Sequence, residues 1–228
     1  METNQYSVPR AYLIDYGGTL DTGGQHWGHF IWQAYRDGGV PVAEQEYRDA
    51  YVATERALGR DPIIDSHFTF RETLSVKLDM QLKLLGCTEY HHILLENLYA
   101  QTLLHVAASQ SVLRQLKAHS TLALVSNFYG NLSTVLREFS LDSLFDSVVE
   151  SAAVGVRKPD VAIFLLALEA LRLQPVEVTV VGDSYKNDII PAHAIGCRTV
   201  WLRGRQWTEQ AIDNPVADRI ITDLKELL

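Results

Sequence analysis

The stretch AYLIDYGGTLDTGG, residues 11–24, decides the fold because a short apolar run ends there in one carboxylate and a glycine-rich turn. An apolar run of this length, bounded by turn residues, is typical of a buried strand. The carboxylate of Asp15 therefore follows a predicted strand, at the edge where a parallel sheet binds its ligands. Two residues later, where a second carboxylate would be most useful, the chain has Gly17. The turn is either an active site that lacks one part or the centre of a different chemistry.

Short apolar runs and helical patterns alternate through the rest of the chain. Besides residues 11–15, the runs that predict strands are 121–126, 147–154, 178–183, 197–202 and 219–222. Apolar residues three or four apart predict helices over 131–139, 160–173 and 187–196. This alternation favours an α/β fold, a Rossmann-like parallel sheet with helices on both of its faces.

The segment after the first strand is different, since it contains helical patterns and no convincing strand. One stripe in it has apolar residues at helical spacing and a plausible stop at Gly86: Phe70, Leu74, Leu78, Leu82 and Leu85. We therefore predict two units. Residues 1–22 and 105–228 form the α/β core, and residues 23–104 form an inserted helical cap, called the cap segment below.

Composition limits the classes of function. The chain of 228 residues has a net charge of −8, without the basic excess that a nucleic-acid surface normally shows. No apolar run reaches the length of a membrane span, and the N-terminal residues lack a secretory pattern. The two cysteines, Cys87 and Cys197, are interpreted as reduced, packed thiols. We expect a cytoplasmic protein without nucleic-acid or membrane partners.

Polar residues follow the predicted strands at four places: Asp15 with Thr19, Ser126 with Asn127, Lys158, and Asp183 with Asp188. The carboxyl ends of parallel strands share one edge, so these residues are expected to meet. Three carboxylates without thiolates favour Mg²⁺ over zinc. A lysine and a loop of hydroxyl, amide and N–H donors before a helix suit phosphate oxygens. The combination predicts phosphoryl transfer to Asp15, which would form an aspartyl-phosphate.

At these residues the sequence resembles a known family. LIDYGGTL, LALVSN, GVRKPD and VVGDSYKND resemble, in order, the four motifs of the haloacid dehalogenase-like superfamily. The resemblance implies that Asp15 is the nucleophile with Thr19 close to it, and that Ser126 and Lys158 bind the phosphoryl group. It also implies that Asp183 binds Mg²⁺ and that Asp188 binds the metal or one of its ligands.

The departure from the family is at Gly17. Family phosphatases have a second Asp there, which protonates the leaving group and later activates water. The glycine can still offer its backbone carbonyl to Mg²⁺, as this position does in the family. Dehalogenase members usually have Tyr there and need no metal, whereas phosphonate-cleaving members have Ala, keep Mg²⁺ and use a cap lysine as a Schiff-base nucleophile. Because Asp183 and Asp188 are present, we favour the metal-dependent branches.

Several residues are candidates for the missing acid. His26 and His29 have helical spacing, but beside two tryptophans they are interpreted as packing at the junction of cap and core. Asp21 is close enough in sequence to substitute for an acid at position 17. Lys77 and Lys83, the only lysines of the cap segment, lie off or beside the leucine stripe and are interpreted as a solvated helix face.

Three functions follow as hypotheses. The first is a Mg²⁺-dependent phosphohydrolase or phosphotransferase acting on a small phosphorylated metabolite. The second is a binding or regulatory protein that holds Mg²⁺ and a phospho-ligand without catalysis. The third is a 2-haloacid dehalogenase.

Overall fold

The computed structural model describes residues 8–207 and 212–228 of the chain. Residues 1–7, which belong to the N-terminal stretch without a secretory pattern, lie outside the described residues. Within those ranges, no helix has the length and apolar character needed to cross a membrane.

Six parallel strands form one sheet in the order β3-β2-β1-β4-β5-β6. In chain order the strands are β1 (Ala11–Ile14), β2 (Thr121–Ser126), β3 (Ser147–Glu150), β4 (Val178–Gly182), β5 (Arg198–Leu202) and β6 (Arg219–Ile221). The chain runs outward from β1 in one direction through β3, and then in the other direction from β4. The boundary between β1 and β4 is therefore the topological switch point, where open α/β sheets bind ligands. The predicted Rossmann-like α/β class is confirmed.

Helices cover both faces of the sheet. In chain order they are α1 (Trp27–Asp37), α2 (Glu44–Arg60), α3 (Phe70–Leu85), α4 (His91–Lys117), α5 (Leu132–Glu138), α6 (Ser151–Val154), α7 (Ala162–Leu171) and α8 (Ile190–Ala194). Tyr12 and Ile14 of β1 face a core that includes α4 and α5, whereas Ala11 and Leu13 face a second core with α7 and α8. This alternation follows from the two-residue period of a strand.

The cap segment is helical throughout its secondary structure, and most of its buried apolar residues belong to the same core as Tyr12 and Ile14 of β1. The predicted stripe of α3 is buried, because Phe70, Leu74, Leu78 and Leu82 all join the first core. The helix ends at Gly86, whose φ of 69° is left-handed. Helix α4 runs without a break past residue 104, so the predicted core boundary at 105 falls inside one continuous helix.

Two predicted elements differ from the structure. The strand predicted over 147–154 ends at Glu150, and residues 151–154 form α6. The cause is the sheet edge: Glu150 pairs with Ser126, the last residue of β2, so the chain has no further strand partner. The side chain of Glu150 instead accepts hydrogen bonds from the backbone N–H groups of Gly130 and Leu132. The helix predicted over 187–196 begins earlier, as a π-helical turn over 185–189, and α8 ends at Ala194.

Candidate active site

The turn after β1 places Asp15 against the end of β4. Thr19 joins the two strand ends, because its hydroxyl lies 3.2 Å from Asp15 Oδ2 and 3.2 Å from Asp183 Oδ1 and accepts the backbone N–H of Asp183 at 3.0 Å. Gly18 allows this approach: its φ is +93°, and a Cβ there would lie 2.6 Å from the carboxylate of Asp183. Glycine is required on both counts.

The end of β4 supplies two further carboxylates. Asp183 follows Gly182, the last strand residue, and Asp188 returns to the same place through the π-helical turn. Gly182 allows the return, since a Cβ there would lie 2.4 Å from Asp188 Oδ2. The backbone N–H of Ser184 donates to the same oxygen at 3.0 Å. The geometry of the turn therefore holds both carboxylates against the sheet edge.

Lys158 lies between two of the carboxylates. Its Nζ is 2.5 Å from Asp15 Oδ1 and 2.6 Å from Asp188 Oδ1, and the side chain is buried. The loop that carries it is tied to the loop after β2, because the side-chain amide of Asn127 donates to the carbonyl of Lys158 at 3.0 Å and accepts its N–H at 2.8 Å. The side chain of Asn127 thus positions Lys158. The predicted contact of Asn127 with substrate stays a prediction. Ser126, at the end of β2, is buried and lines one cavity together with Asp15 and Lys158.

Asp15, Asp183 and Asp188 form a cluster that could hold a metal ion, with one oxygen of each within 4.8 Å of the others. All three are buried. Burial raises the pKa of Asp183 well above its usual range, and the charges of Asp15 and Asp188 raise it further. Burial also raises the pKa of Asp188 to about 6, although Lys158 opposes that rise. Such mutual repulsion among oxygen donors is relieved by a cation bound between them.

Lys158 is a fixed positive charge in this cluster. Burial by itself would lower the pKa of Lys158, but the carboxylates of Asp15 and Asp188 outweigh it and raise the pKa above its usual value. The lysine therefore stays an ammonium at neutral pH. One ammonium among three carboxylates leaves negative charge uncompensated, which suits the oxygen-liganded cations Mg²⁺ and Ca²⁺.

Gly17 lies beneath the indole of Trp27. A Cβ at Gly17 would be 4.0 Å from Cδ1 and Nε1 of that ring, an ordinary contact. The indole N–H donates to Asp21 Oδ2 at 3.0 Å, and Asp21 Oδ1 accepts the N–H of Gly18 at 2.7 Å. Asp21 is fully buried, which raises its pKa to about 7. Both of its oxygens accept hydrogen bonds, so the structure assigns Asp21 to holding the turn and the indole together.

His26 and His29 occupy different environments. The Nδ1 of His26 accepts the N–H of Gly28 at 3.0 Å and so caps the start of α1. Burial lowers the pKa of His26 to about 4, which makes it neutral and a poor proton donor at neutral pH. Among the described residues, His26 lines the cavity and His29 does not. The predicted packing role of His26 is in agreement with these contacts.

A cavity of about 700 Å³ lies above the carboxylates, between the core and helices α2 and α3. The interpretation of Lys77 as a solvated residue is wrong: its side chain is buried in the cavity wall, whereas Lys83 is exposed and pairs with Asp79. Lys77 follows Thr73 by one helical turn, and both line the cavity. The sequence contains a signal for these cavity residues, namely a polar row at helical spacing beside the leucine stripe. Helical spacing does not reveal whether such a row faces solvent or a cavity.

The fold and the carboxylate cluster define an α/β protein with an acidic centre at the switch point of its sheet. A family model of the haloacid dehalogenase-like hydrolases matches residues 9–196. The chain therefore belongs to the haloacid dehalogenase-like hydrolase family, as its four motifs indicated.

Three similar proteins illustrate the range of the family. A glyceraldehyde 3-phosphate phosphatase of Pyrococcus furiosus is 38% identical over 89 residues, which are 39% of this chain and 37% of that protein. Haloacid dehalogenase-like hydrolase domain-containing protein 3 of Mus musculus is 36% identical over 108 residues, 47% of this chain and 43% of that protein. A crystal structure of a HAD phosphatase from Thermococcus onnurineus has a TM-score of 0.56 at 25% identity, covering 96% of this chain and 95% of that one. The matches with the two curated relatives span about two fifths of those relatives' own lengths.

Proposed function

We propose that the chain is a Mg²⁺-dependent phosphohydrolase that acts on a small phosphorylated metabolite through an aspartyl-phosphate on Asp15. The observation that carries the proposal is the position of Asp15. Its carboxylate is held by Lys158 and Thr19, lies beside two further carboxylates, and lines a cavity of about 700 Å³. That volume lies within the usual range for small-molecule sites, about 300–1,000 Å³.

Each residue of the centre has a separate task. Asp15 attacks phosphorus with one carboxylate oxygen, and Lys158 and Ser126 bind the oxygens of the transferred phosphoryl group. Asp15, Asp183, Asp188 and the backbone carbonyl of Gly17 are the proposed metal ligands. Mg²⁺ bound there would neutralise phosphoryl charge during transfer. The buried surroundings strengthen these electrostatic interactions, because water is largely excluded.

Relatives support a small phosphorylated substrate. The glyceraldehyde 3-phosphate phosphatase named above is similar to two fifths of this chain. A phosphoserine phosphatase of Thermus thermophilus, 35% identical over 83 residues, is a further relative with a phosphatase name. Both names describe phosphate monoesters of small metabolites, and the proposal assigns the same substrate class to this chain.

The glycine at position 17 supports a second candidate function. A family member without the carboxylate there could bind Mg²⁺ and a phospho-ligand without turning it over. Retention of Asp15 favours the enzyme, since binding alone does not require a nucleophile.

The test is phosphate release from a panel of phosphorylated metabolites, including acyl phosphates, in Mg²⁺ or in EDTA. We expect release that needs Mg²⁺ and is lost in Asp15→Asn but kept in Asp142→Asn, which changes an exposed carboxylate outside the cavity. Beryllium fluoride with Mg²⁺, an aspartyl-phosphate mimic, should raise the melting temperature of the wild type and not of Asp15→Asn. The absence of both phosphate release and beryllium fluoride stabilisation would favour the binding function. Halide release from 2-haloacids without metal would favour dehalogenation.

A further inference from the structure

The cavity that Asp15 lines also contains a charged cluster, the Lys77 cluster, made of Lys77, which is buried, and of Glu55 and Tyr129, which are partly exposed. Lys77 Nζ lies 2.8 Å from Glu55 Oε1 and donates to the hydroxyl of Tyr129 at 3.2 Å. The hydroxyl of Tyr129 in turn donates to Glu55 Oε2 at 2.8 Å. Glu55 and Lys77 belong to α2 and α3, and Tyr129 to the loop after β2, so the cluster joins the cap segment to the core.

Joining the cap segment to the core does not by itself require an ammonium at this place. An ion pair between the buried ammonium of Lys77 and the partly exposed carboxylate of Glu55 contributes little to stability compared with apolar side chains of similar size, because the ammonium loses its water. An ammonium has three N–H donors. In the described part of the chain, Nζ of Lys77 has two oxygen partners, Glu55 and Tyr129, so one donor remains for a ligand in the cavity.

Lys77 and Gly17, where the family's second carboxylate is missing, both lie beside the side chain of Trp27. The indole of Trp27 is the link: it is 4.0 Å from a Cβ placed at Gly17, and its ring centroid is 5.7 Å from Lys77 Nζ. In an in-line transfer the leaving group departs on the side opposite the nucleophile. A substrate phosphorylating Asp15 from this cavity would therefore direct its leaving group toward the cap segment, where Lys77 is a cation.

We propose that Lys77 performs the task that Gly17 cannot: its ammonium contacts the leaving-group oxygen of the substrate and protonates it. The inference rests on the proposed phosphoryl transfer. As Asp15 bonds to phosphorus, the P–O electron pair passes to the leaving oxygen, which takes a proton from Nζ. The products are aspartyl-phosphate, an alcohol and a neutral amine. That amine then accepts a proton from the water that attacks phosphorus, which releases phosphate and restores the ammonium and Asp15.

The environment of Lys77 suits both half-reactions. Burial, the largest single influence, would lower the pKa of Lys77, but Glu55, Tyr51 and Asp21 together outweigh it and raise the pKa, so the side chain enters the reaction as an ammonium. Transfer of its proton to an alkoxide is favourable, because the hydroxyl group that forms has a pKa well above that of an ammonium. Glu55 and Tyr129 hold Nζ in place during both steps, and they are positioning residues.

The test compares substrates whose leaving groups differ in their need for a proton: p-nitrophenyl phosphate, which needs little, and glycerol phosphate, an alkyl ester. We expect Lys77→Met to lower kcat/KM for glycerol phosphate by roughly 10²–10⁴-fold, the usual share of general acid catalysis, and for p-nitrophenyl phosphate by less than about tenfold. The matched control is Lys83→Met, a change of the exposed lysine on the same helix. An equal loss with both esters, or no loss, would overturn the proposal.

Lys77→Arg separates charge from proton transfer. A guanidinium keeps the positive charge but is not deprotonated in proteins. We expect this variant to retain KM for glycerol phosphate and to lose kcat, while full kcat would show that charge alone is sufficient. If Lys77→Met fails to fold, as thermal unfolding will show, Lys77→Arg still decides between the two roles.

A carboxylate at position 17 provides an independent check. Gly17→Asp should raise hydrolysis of glycerol phosphate in the Lys77→Met background by a larger factor than in the wild type, because it supplies an acid that Lys77→Met lacks and that the wild type already has in Lys77. Equal factors in both backgrounds would contradict the proposal. If the wild type releases no phosphate in an Asp15-dependent manner, the proposed function itself fails. If release depends on Asp15 but Lys77→Met leaves the ester ratio unchanged, only this inference fails.

Discussion

Gly18→Ala and Gly17→Ala each add one methyl group to adjacent residues of the same turn. We expect Gly18→Ala to lower the free energy of unfolding strongly and Gly17→Ala to change it little. At Gly18 the methyl carbon would lie 2.6 Å from three atoms of the Asp183 carboxylate, on a backbone with φ of +93°. At Gly17 the nearest atoms belong to the Trp27 indole at 4.0 Å, and the backbone does not have a positive φ. Gly17→Ala is therefore a matched control for Gly18→Ala.

The expected magnitude follows from two costs. A left-handed conformation costs an L-residue about 1–2 kcal/mol, and forcing an extra carbon into a packed site costs about 1–3 kcal/mol. Together they predict a loss of roughly 2–5 kcal/mol in the free energy of unfolding, or about 4–20 °C in melting temperature for a chain of this size. Because Asp183 must move, Mg²⁺ should also stabilise Gly18→Ala less than it stabilises the wild type. Gly17→Ala should remain within about 1 kcal/mol of the wild type.

Urea denaturation of both variants with and without Mg²⁺ measures these quantities. A Gly18→Ala variant that unfolded within about 1 kcal/mol of Gly17→Ala would contradict the expected clash with Asp183, because surface substitutions produce differences of that size. A Gly18→Ala variant that kept the full Mg²⁺ stabilisation would show that Asp183 does not contribute to the metal site.

Two further predictions concern the buried charges. Asp21 has a folded-state pKa of about 7, against about 3.9 in an unfolded chain. The folded state therefore holds this proton more tightly, and the free energy of unfolding should fall by up to about 1.4 kcal/mol per pH unit from about pH 4 to pH 7. Asp21→Asn should reduce that slope in urea denaturation at constant Mg²⁺, and an unchanged slope would contradict the assignment. Lys158→Met should cost about 3–5 kcal/mol in EDTA, since it leaves the carboxylates of Asp15 and Asp188 buried without their cation. Mg²⁺ should restore part of the loss, and an equal loss with and without Mg²⁺ would be evidence against a metal site there.

Much of the site followed from local sequence and one general rule. The apolar runs that end at Asp15, Ser126 and Asp183 are short enough to be strands, and the helical patterns between them require parallel connections. Parallel strands bring their carboxyl ends to one edge. We could therefore expect Asp15 to lie close to Asp183 and Asp188, although more than 160 positions separate them in sequence. In the structure one oxygen of each lies within 4.8 Å of the others.

Helical periodicity also located the helices of the cap segment, but it does not tell which surface each helix contacts. Lys77 illustrates the limit: a lysine beside a leucine stripe has the same pattern whether its neighbour is water or a cavity wall. Glu55 and Tyr129, which lie 22 and 52 residues away in sequence, are the partners that make its burial possible. The same holds for Asn127, whose amide pairs with the backbone of Lys158 across a distance of 31 residues.

The sequence by itself determined the α/β class, the strand edge and the residues that gather there, because strand length, helix period and the parallel rule are local or general. Only the tertiary structure decided that Trp27 covers Gly17, that Asp21 is occupied in holding the turn, and that the buried ammonium of Lys77 lines the same cavity as Asp15. Those outcomes depend on how the cap segment docks on the core. Docking is set by contacts between residues distant in the chain, which periodicity does not encode.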